Sequence, residues 1–209
     1  MILTPIPSER LPEVIRQFRV RLTDGFERRV FDAITRTSAN RAEGAIAEQH
    51  RQQALALARD FDMRVALGPA SLSWDGRRLN GDTEAFVLTH EVAHFQLASP
   101  ARRHTIDFGL GAGPDTTDRT AADDAAVLTG VERDREEAMT SLLGVLWEVA
   151  LGHPALASFL DQNWLEGTGS TRAAGHFTAV LRQLREGGFV DRVGRPTTRL
   201  RSAEDTAAA

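Results

Sequence analysis

The sequence contains no cysteine, no lysine and no tyrosine, and each absence excludes a class of chemistry. Without cysteine there are no disulfide bonds, no thiolate metal ligands and no cysteine nucleophile. Without lysine and tyrosine, a Schiff-base lysine and a tyrosine general acid are excluded as well. A metal ion bound by this chain would therefore be held by histidine nitrogen and by carboxylate or other oxygen.

Long hydrophobic runs and an excess of positive charge are also missing. No apolar stretch approaches the ~20 residues that a membrane-spanning helix needs, and the first residues do not resemble a signal peptide. The formal net charge of −4 gives no strongly basic field for nucleic acid. We therefore expect a cytoplasmic protein with neither a membrane nor a nucleic acid as its partner.

Apolar residues at helical spacing dominate the pattern, whereas strand signals are confined to 63–67 and to a hairpin turn at Asp75-Gly76. We predict a mainly helical α+β fold with a small strand and hairpin element and a zincin-like metal-binding helix pair. A single metalloenzyme domain is predicted over 1–201, with its motif core at about 83–186. The tail at 202–209 is predicted to be disordered.

The segment 107–130 is rich in Gly, Asp and Thr and is predicted to be a long loop of the kind that often has a function. The apolar periodicity predicts six helices. The helices are expected at 11–22, at 26–34, at 45–58, from a cap at Asp82 or Thr83 through His94, from a start between Asp134 and Thr140 to Leu151, and at 171–185.

One motif indicates metal chemistry, the H-E-x-x-H sequence formed by His90, Glu91 and His94. On a helix, positions i and i+4 lie one turn apart on the same face, so two imidazoles can bind one cation. Glu91 lies beside the first histidine and is the candidate general acid or base. The alternative is a chance match on an amphipathic helix, in which both histidines are ordinary residues at the edge of the core.

A third ligand is needed, and the sequence offers Glu132, Glu136 and Glu137. The following helix has an apolar face, and a step of ~100° per residue places Glu136 at the edge of that face and Glu137 opposite it. Periodicity alone therefore favours Glu136. Two histidines and one carboxylate suit zinc hydrolysis as well as the oxygen chemistry of non-heme iron. The residues thus leave iron and zinc, and an oxygenase and a zinc metallopeptidase with Glu91 as general base, as open alternatives.

The motif and the segments after it resemble the elongation factor P hydroxylase family. That family has an H-E-[IV]-A-H-W helix followed by A-R-R, D-F-G and P-D segments, then G-Y-P and D-N-L-E-G, at similar spacing. The resemblance extends over a stretch from about Thr89 to Leu184, nearly half of the chain. The matching segments within it are H-E-V-A-H-F at 90–95, A-R-R at 101–103, D-F-G at 107–109, P-D at 114–115, G-H-P at 152–154 and N-W-L-E-G at 163–167.

The resemblance implies an oxygen-dependent hydroxylase, with iron as the favoured metal, that acts on a modified lysine of elongation factor P or on a similar protein substrate. His90 and His94 would be metal ligands and Glu91 an acid or base. The residues that would support the site or contact the substrate are Arg102, Arg103, Asp107, Asp115, Asn163 and Glu166. Asp107 is also a candidate hydrogen-bond partner of a ligating histidine, a common device in metal sites, and an ordinary loop cap is the equal alternative.

The resemblance changes the order of the candidates for the third ligand. Counting back without gaps from the G-H-P segment aligns the family's glutamate with Glu137, at a point before the predicted helix. On this ground Glu137 ranks first, Glu136 second and Glu132 third. The chain departs from the family after D-F-G, where aromatic residues are absent, and at 139–141, where Met-Thr-Ser replaces Lys-Pro-Gln.

Overall fold

A computed structural model describes residues 6–113, 116–165 and 171–207. The mainly helical α+β class predicted from the sequence is confirmed. The strands are β1 (Arg64–Ala66) and β2 (Arg78–Asn80). The helices are α1 (Leu11–Arg21), α2 (Gly25–Thr35), α3 (Gly44–Asp60), α4 (Ala85–Leu97), α5 (Arg119–Asp124), α6 (Gly130–Leu151), α7 (Ala155–Asp161), α8 (Thr171–Glu186) and α9 (Ala203–Ala207). Among these helices none is both long and apolar enough to cross a bilayer.

The chain divides into two compact units, each made of segments that are distant in sequence. The first, here called the aromatic unit, comprises Met1–Ala42 and Val145–Thr197. The second, here called the histidine unit, comprises Glu43–Gly144 and Thr198–Ala209. The division falls within α6, between Gly144 and Val145.

The aromatic unit is built from α1, α2, α7 and α8, whose apolar faces share a core of phenylalanines. The rings of Phe18 and Phe31 stack with their centroids 4.7 Å apart, and both meet Phe159 and Phe177 edge-on at about 6 Å. All four side chains are fully buried. The core is formed by helices from both ends of the sequence, which explains why the segments assemble into one unit.

The histidine unit contains the two short strands, which pair in parallel with Val65 opposite Leu79. The predicted turn at Asp75 is present, because its carboxylate Oδ1 accepts hydrogen bonds from the backbone N–H groups of Arg77 and Arg78. Trp74 forms a single antiparallel bridge with Leu79 rather than a strand. Only the turn of the predicted hairpin is therefore present, and β2 pairs with β1 instead of with a strand at Trp74.

Several boundaries differ from those predicted. Helix α6 begins at Gly130, earlier than predicted, because the charged stretch after it consists of strong helix formers that lack apolar periodicity. Neither Asp82 nor Thr83 caps α4, whose N-cap is Glu84 without a side-chain hydrogen bond. The predicted long loop contains α5 and most of a tight turn at Ile106–Gly109, and the tail predicted to be disordered contains α9.

Candidate metal centre

Helix α4 presents the two histidines on one side. It is apolar around most of its circumference, with Leu88, Val92 and Leu97 fully buried, so packing fixes its position. His90 and His94 lie one turn apart, and their ring centroids are 4.7 Å from each other. His94 is buried, whereas His90 is partly exposed. The two imidazoles therefore lie close together, and the pair is accessible from the surface on the side of His90.

Helix α6 approaches α4 closely at Gly144. A Cβ atom at this position would lie 3.1 Å from the Cα of His90 and 3.4 Å from its backbone nitrogen, so glycine is what allows the contact. Glu137 lies seven residues earlier on the same helix, about two turns away and on a similar face. The close approach at Gly144 therefore brings Glu137 alongside the histidines.

The three side chains surround a gap of the size that a metal ion needs. Glu137 Oε2 lies 3.9 Å from His90 Nε2 and 3.7 Å from His94 Nε2, too far for a hydrogen bond in either case. All three candidate ligand atoms lie within 4.8 Å of one another. Ligands about 2.1 Å from a tetrahedral metal are separated by about 3.4 Å, so small side-chain movements would suffice. The donor set and its spacing fit a divalent ion.

The imidazoles are in the charge state that metal binding requires. Burial lowers the pKa of His90 to about 3; the neighbouring His94 acts in the same direction, while Glu137 opposes it. Burial and then the positive charge of Arg102 lower the pKa of His94 to about 3. At neutral pH both rings are therefore uncharged, and each has a nitrogen lone pair available.

The two neighbouring acids of α6 have different surroundings. Glu137 faces the histidines, and burial raises its pKa despite the opposing effects of His90 and Arg133. Glu136 is buried and accepts hydrogen bonds from Arg102 through both carboxylate oxygens and from Arg201 at 3.1 Å. The structure thus brings Glu137 to the histidines and commits Glu136 to two guanidinium groups. The prediction that Glu137 precedes the helix is wrong, because α6 begins at Gly130.

Two side chains that the sequence analysis did not single out contact His94. The hydroxyl of Thr140 lies 3.2 Å from His94 Nδ1, and the Phe108 ring stacks on the imidazole with centroids 5.5 Å apart and planes at 21°. In the tautomer that leaves Nε2 free to bind a metal, Nδ1 carries the proton and donates a hydrogen bond to the Thr140 oxygen. Thr140 lies one turn after Glu137, and this spacing is the signal that would have found it.

Of the two roles predicted for Asp107, the hydrogen bond with a histidine is wrong, and the loop cap is the one observed. Its Oδ1 accepts from the backbone N–H of Trp74 at 3.2 Å, and its Oδ2 accepts from the Thr116 hydroxyl at 2.7 Å. Burial raises its pKa, which the hydrogen bonds from Thr116 and Trp74 oppose. Asp107 therefore fixes the backbone of its own turn, and its carboxylate is directed away from a direct contact with His94.

The two arginines of the A-R-R segment hold backbone and carboxylate groups of the protein. Arg102 also donates from Nε to the carbonyl of Phe108 at 2.9 Å. Arg103 donates to the carbonyls of Phe95 and Arg201, and its guanidinium lies 5.3 Å above the Phe95 ring. These contacts assign both arginines a supporting role around the site.

Of the remaining predicted residues, three lie in the described part of the chain and two outside it. Glu91 follows His90 on α4 and is buried. Glu132 is exposed in the first turn of α6. Asn163 belongs to the aromatic unit and has a φ of 61°, a conformation that asparagine tolerates better than most residues. Asp115 and Glu166 lie outside the described residues.

Comparisons of the chain with models of protein families, with curated proteins and with solved structures found no match. The site is therefore interpreted from its own geometry and from the motif segments of the sequence.

Proposed function

We propose that this chain is a metal-dependent enzyme in which His90, His94 and Glu137 hold one divalent ion. The observation that supports this proposal is the position of Glu137 Oε2, 3.9 and 3.7 Å from the two Nε2 atoms. Three donors of this kind surround a space without hydrogen-bonding one another. Two histidines and one carboxylate leave further coordination positions for reactants, which is the arrangement of catalytic rather than structural sites.

The reaction we propose is hydroxylation with dioxygen at iron, similar to that of the elongation factor P hydroxylases. Helix periodicity favoured Glu136 as the third ligand, whereas alignment with that family favoured Glu137, and Glu137 is the acid beside the histidines. This agreement supports the resemblance. The proposed substrate is a lysine-type or similar side chain in elongation factor P or another protein, and such a substrate would place the enzyme in the cytoplasm.

The side chains of the site have separate tasks in this reaction. A ferrous ion would supply the activation of dioxygen. One oxygen atom enters a C–H bond of the substrate and the other is reduced to water, with two electrons and two protons from an external donor. The neutral imidazoles and Glu137 hold the ion, and Thr140 keeps His94 in one tautomer. Glu91, buried on the same helix, gives or takes protons.

The test begins with protein purified without added metal. The metal content is measured, the protein is loaded anaerobically with ferrous iron, and oxygen uptake is followed with ascorbate and lysine-containing peptides. We expect one iron per chain and oxygen uptake that is lost in His90→Ala. Glu132→Gln is the matched control, because Glu132 is an exposed acid of α6 and its replacement should change neither. Iron binding without oxygen uptake under any of these conditions would overturn the oxygenase proposal.

The second candidate is a zinc metallopeptidase, because two histidines and one carboxylate suit zinc hydrolysis as well. In that reaction Glu91 would take a proton from the attacking water, and the ion would polarise the peptide carbonyl. Zinc-loaded protein is therefore incubated with a library of labelled peptides. Cleavage that is lost in Glu91→Gln, in protein that takes up no oxygen with iron, would replace the oxygenase by the peptidase.

A further inference from the structure

Two consecutive residues next to the metal centre have left-handed backbone conformations. Asp107 has φ 40° and ψ 40°, and Phe108 has φ 54° and ψ 20°. Neither is a glycine, so the Cβ atom of each is placed unfavourably close to the backbone. Conformations of this kind persist only where the surroundings enforce them, and they concentrate at functional sites. We therefore infer that this turn positions a side chain of the site.

Four hydrogen bonds hold the turn in this conformation. Asp107 exchanges two of them with Trp74, through its carboxylate at 3.2 Å and its backbone N–H at 3.0 Å. The Thr116 hydroxyl donates to the other carboxylate oxygen at 2.7 Å. Arg102, already paired with Glu136, donates to the Phe108 carbonyl at 2.9 Å. The backbone of Trp74 and the side chains of Arg102 and Thr116, from three separate segments, thus fix the backbone immediately around Phe108.

This turn fixes the orientation of the Phe108 ring. Phe108 is 1% exposed, stacks on Trp74 with planes at 8° and centroids 5.4 Å apart, and stacks on His94 with planes at 21°. The indole of Trp74 is held in turn, because its Nε1 donates to the carbonyl of Arg103 at 3.0 Å. The imidazole of His94 therefore lies against a ring that cannot rotate away.

We propose that Phe108 is a positioning residue for the metal ligand His94, and that Asp107 is the anchor that keeps it there. The stack and the Thr140 hydroxyl together fix the plane of the imidazole, so that Nε2 points toward Glu137 before a metal arrives. A ligand that is ordered in advance loses less conformational freedom on binding. This inference rests on the proposed metal centre.

The test compares the same change, phenylalanine to leucine, at two positions of one aromatic cluster. Phe108→Leu removes the ring that stacks on His94. Phe95→Leu removes a ring that meets Trp74 and Phe108 edge-on and follows His94 directly in sequence. Cobalt(II) and zinc(II) affinities are measured by competition with a chromophoric chelator, and the visible spectrum of the cobalt form reports ligand geometry. We expect Phe108→Leu to weaken binding on the order of 10-fold and to change the spectrum, as loss of other supporting residues does, and Phe95→Leu to change neither.

A second variant keeps the proposal testable if Phe108→Leu does not fold. Thr116→Val removes one hydrogen bond to Asp107 and leaves the stack intact, so a smaller loss of affinity in the same direction is expected. If the wild-type chain binds no metal, the proposed metal centre fails and this inference with it. If the wild type binds metal and the folded Phe108 and Thr116 variants bind it equally well, the metal centre stands and the positioning role is refuted.

Discussion

Glu136 and Glu137 are neighbours on α6, and the structure predicts opposite consequences for their replacement by glutamine. Glu137→Gln removes one of the three proposed metal ligands. Glu136→Gln leaves the metal ligands intact but removes the carboxylate that two guanidinium groups share. The side chains of Glu136, Arg102 and Arg201 are 6%, 13% and 23% exposed, so water compensates only partly for the lost charge.

The magnitudes follow from these surroundings. Glu136→Gln should lower the free energy of unfolding of the metal-free protein by about 3 kcal/mol, the lower end of the range for breaking a buried ion pair, because glutamine keeps one acceptor oxygen. Glu137→Gln should weaken metal binding by at least about 100-fold, beyond what loss of an outer partner causes. That factor corresponds to about 2.7 kcal/mol of binding free energy. Since burial raises the pKa of Glu137, removing its charge should not destabilise the metal-free protein.

Both quantities are measured on the same preparations. Urea unfolding in the presence of a chelator gives the stability of the metal-free variants, and competition with a chromophoric chelator gives their metal affinity. The reasoning is refuted if Glu136→Gln loses more metal affinity than Glu137→Gln. That result would mean that helix periodicity identified the third ligand and that the alignment with the hydroxylases did not.

Two further predictions concern stability. Burial raises the pKa of Glu148 from 4.5 to about 7. The contribution of this carboxyl to the free energy of unfolding is therefore fully present below about pH 4.5, and up to about 3 kcal/mol of it is lost as the pH rises through 7. Glu148→Gln should remove this part of the pH dependence of urea unfolding, and an unchanged slope would show that the carboxyl titrates normally. Gly144→Ala should destabilise the protein because its Cβ would meet the backbone of His90, whereas Gly175→Ala in α8, with open space around it, should stabilise it by up to about 1 kcal/mol. Equal stabilisation of both alanine variants would contradict the close approach of α6 to α4.

The parts of the site that could be predicted from the sequence depend on local spacing. The His90 and His94 pair follows from the period of a single helix, and its apolar neighbours indicate burial. The choice of Glu137 depended on alignment, because helix periodicity places Glu136 at the edge of the apolar face but gives no information on what surrounds it. A buried carboxylate can meet a metal or an arginine, and Glu136 meets Arg102 and Arg201.

The parts that could not be predicted depend on contacts between distant segments or on unusual backbone conformations. Arg201 comes from the end of the chain, and no periodicity connects it with α6. Asp107 and Phe108 are not glycines, so the sequence gives no indication of two consecutive left-handed residues. For this reason the sequence did not decide between a hydrogen bond from a histidine to Asp107 and a loop cap, and in the structure the Asp107 carboxylate accepts from Trp74 and Thr116.

The central claim is that His90, His94 and Glu137 bind one divalent metal ion. The most direct test is equilibrium dialysis of the wild-type chain and of His90→Ala against ferrous iron without oxygen and against zinc, with circular dichroism to verify folding. We expect one tightly bound ion per wild-type chain and none in the folded variant. A wild-type chain that binds no ion, or a His90→Ala variant with full occupancy, would contradict it.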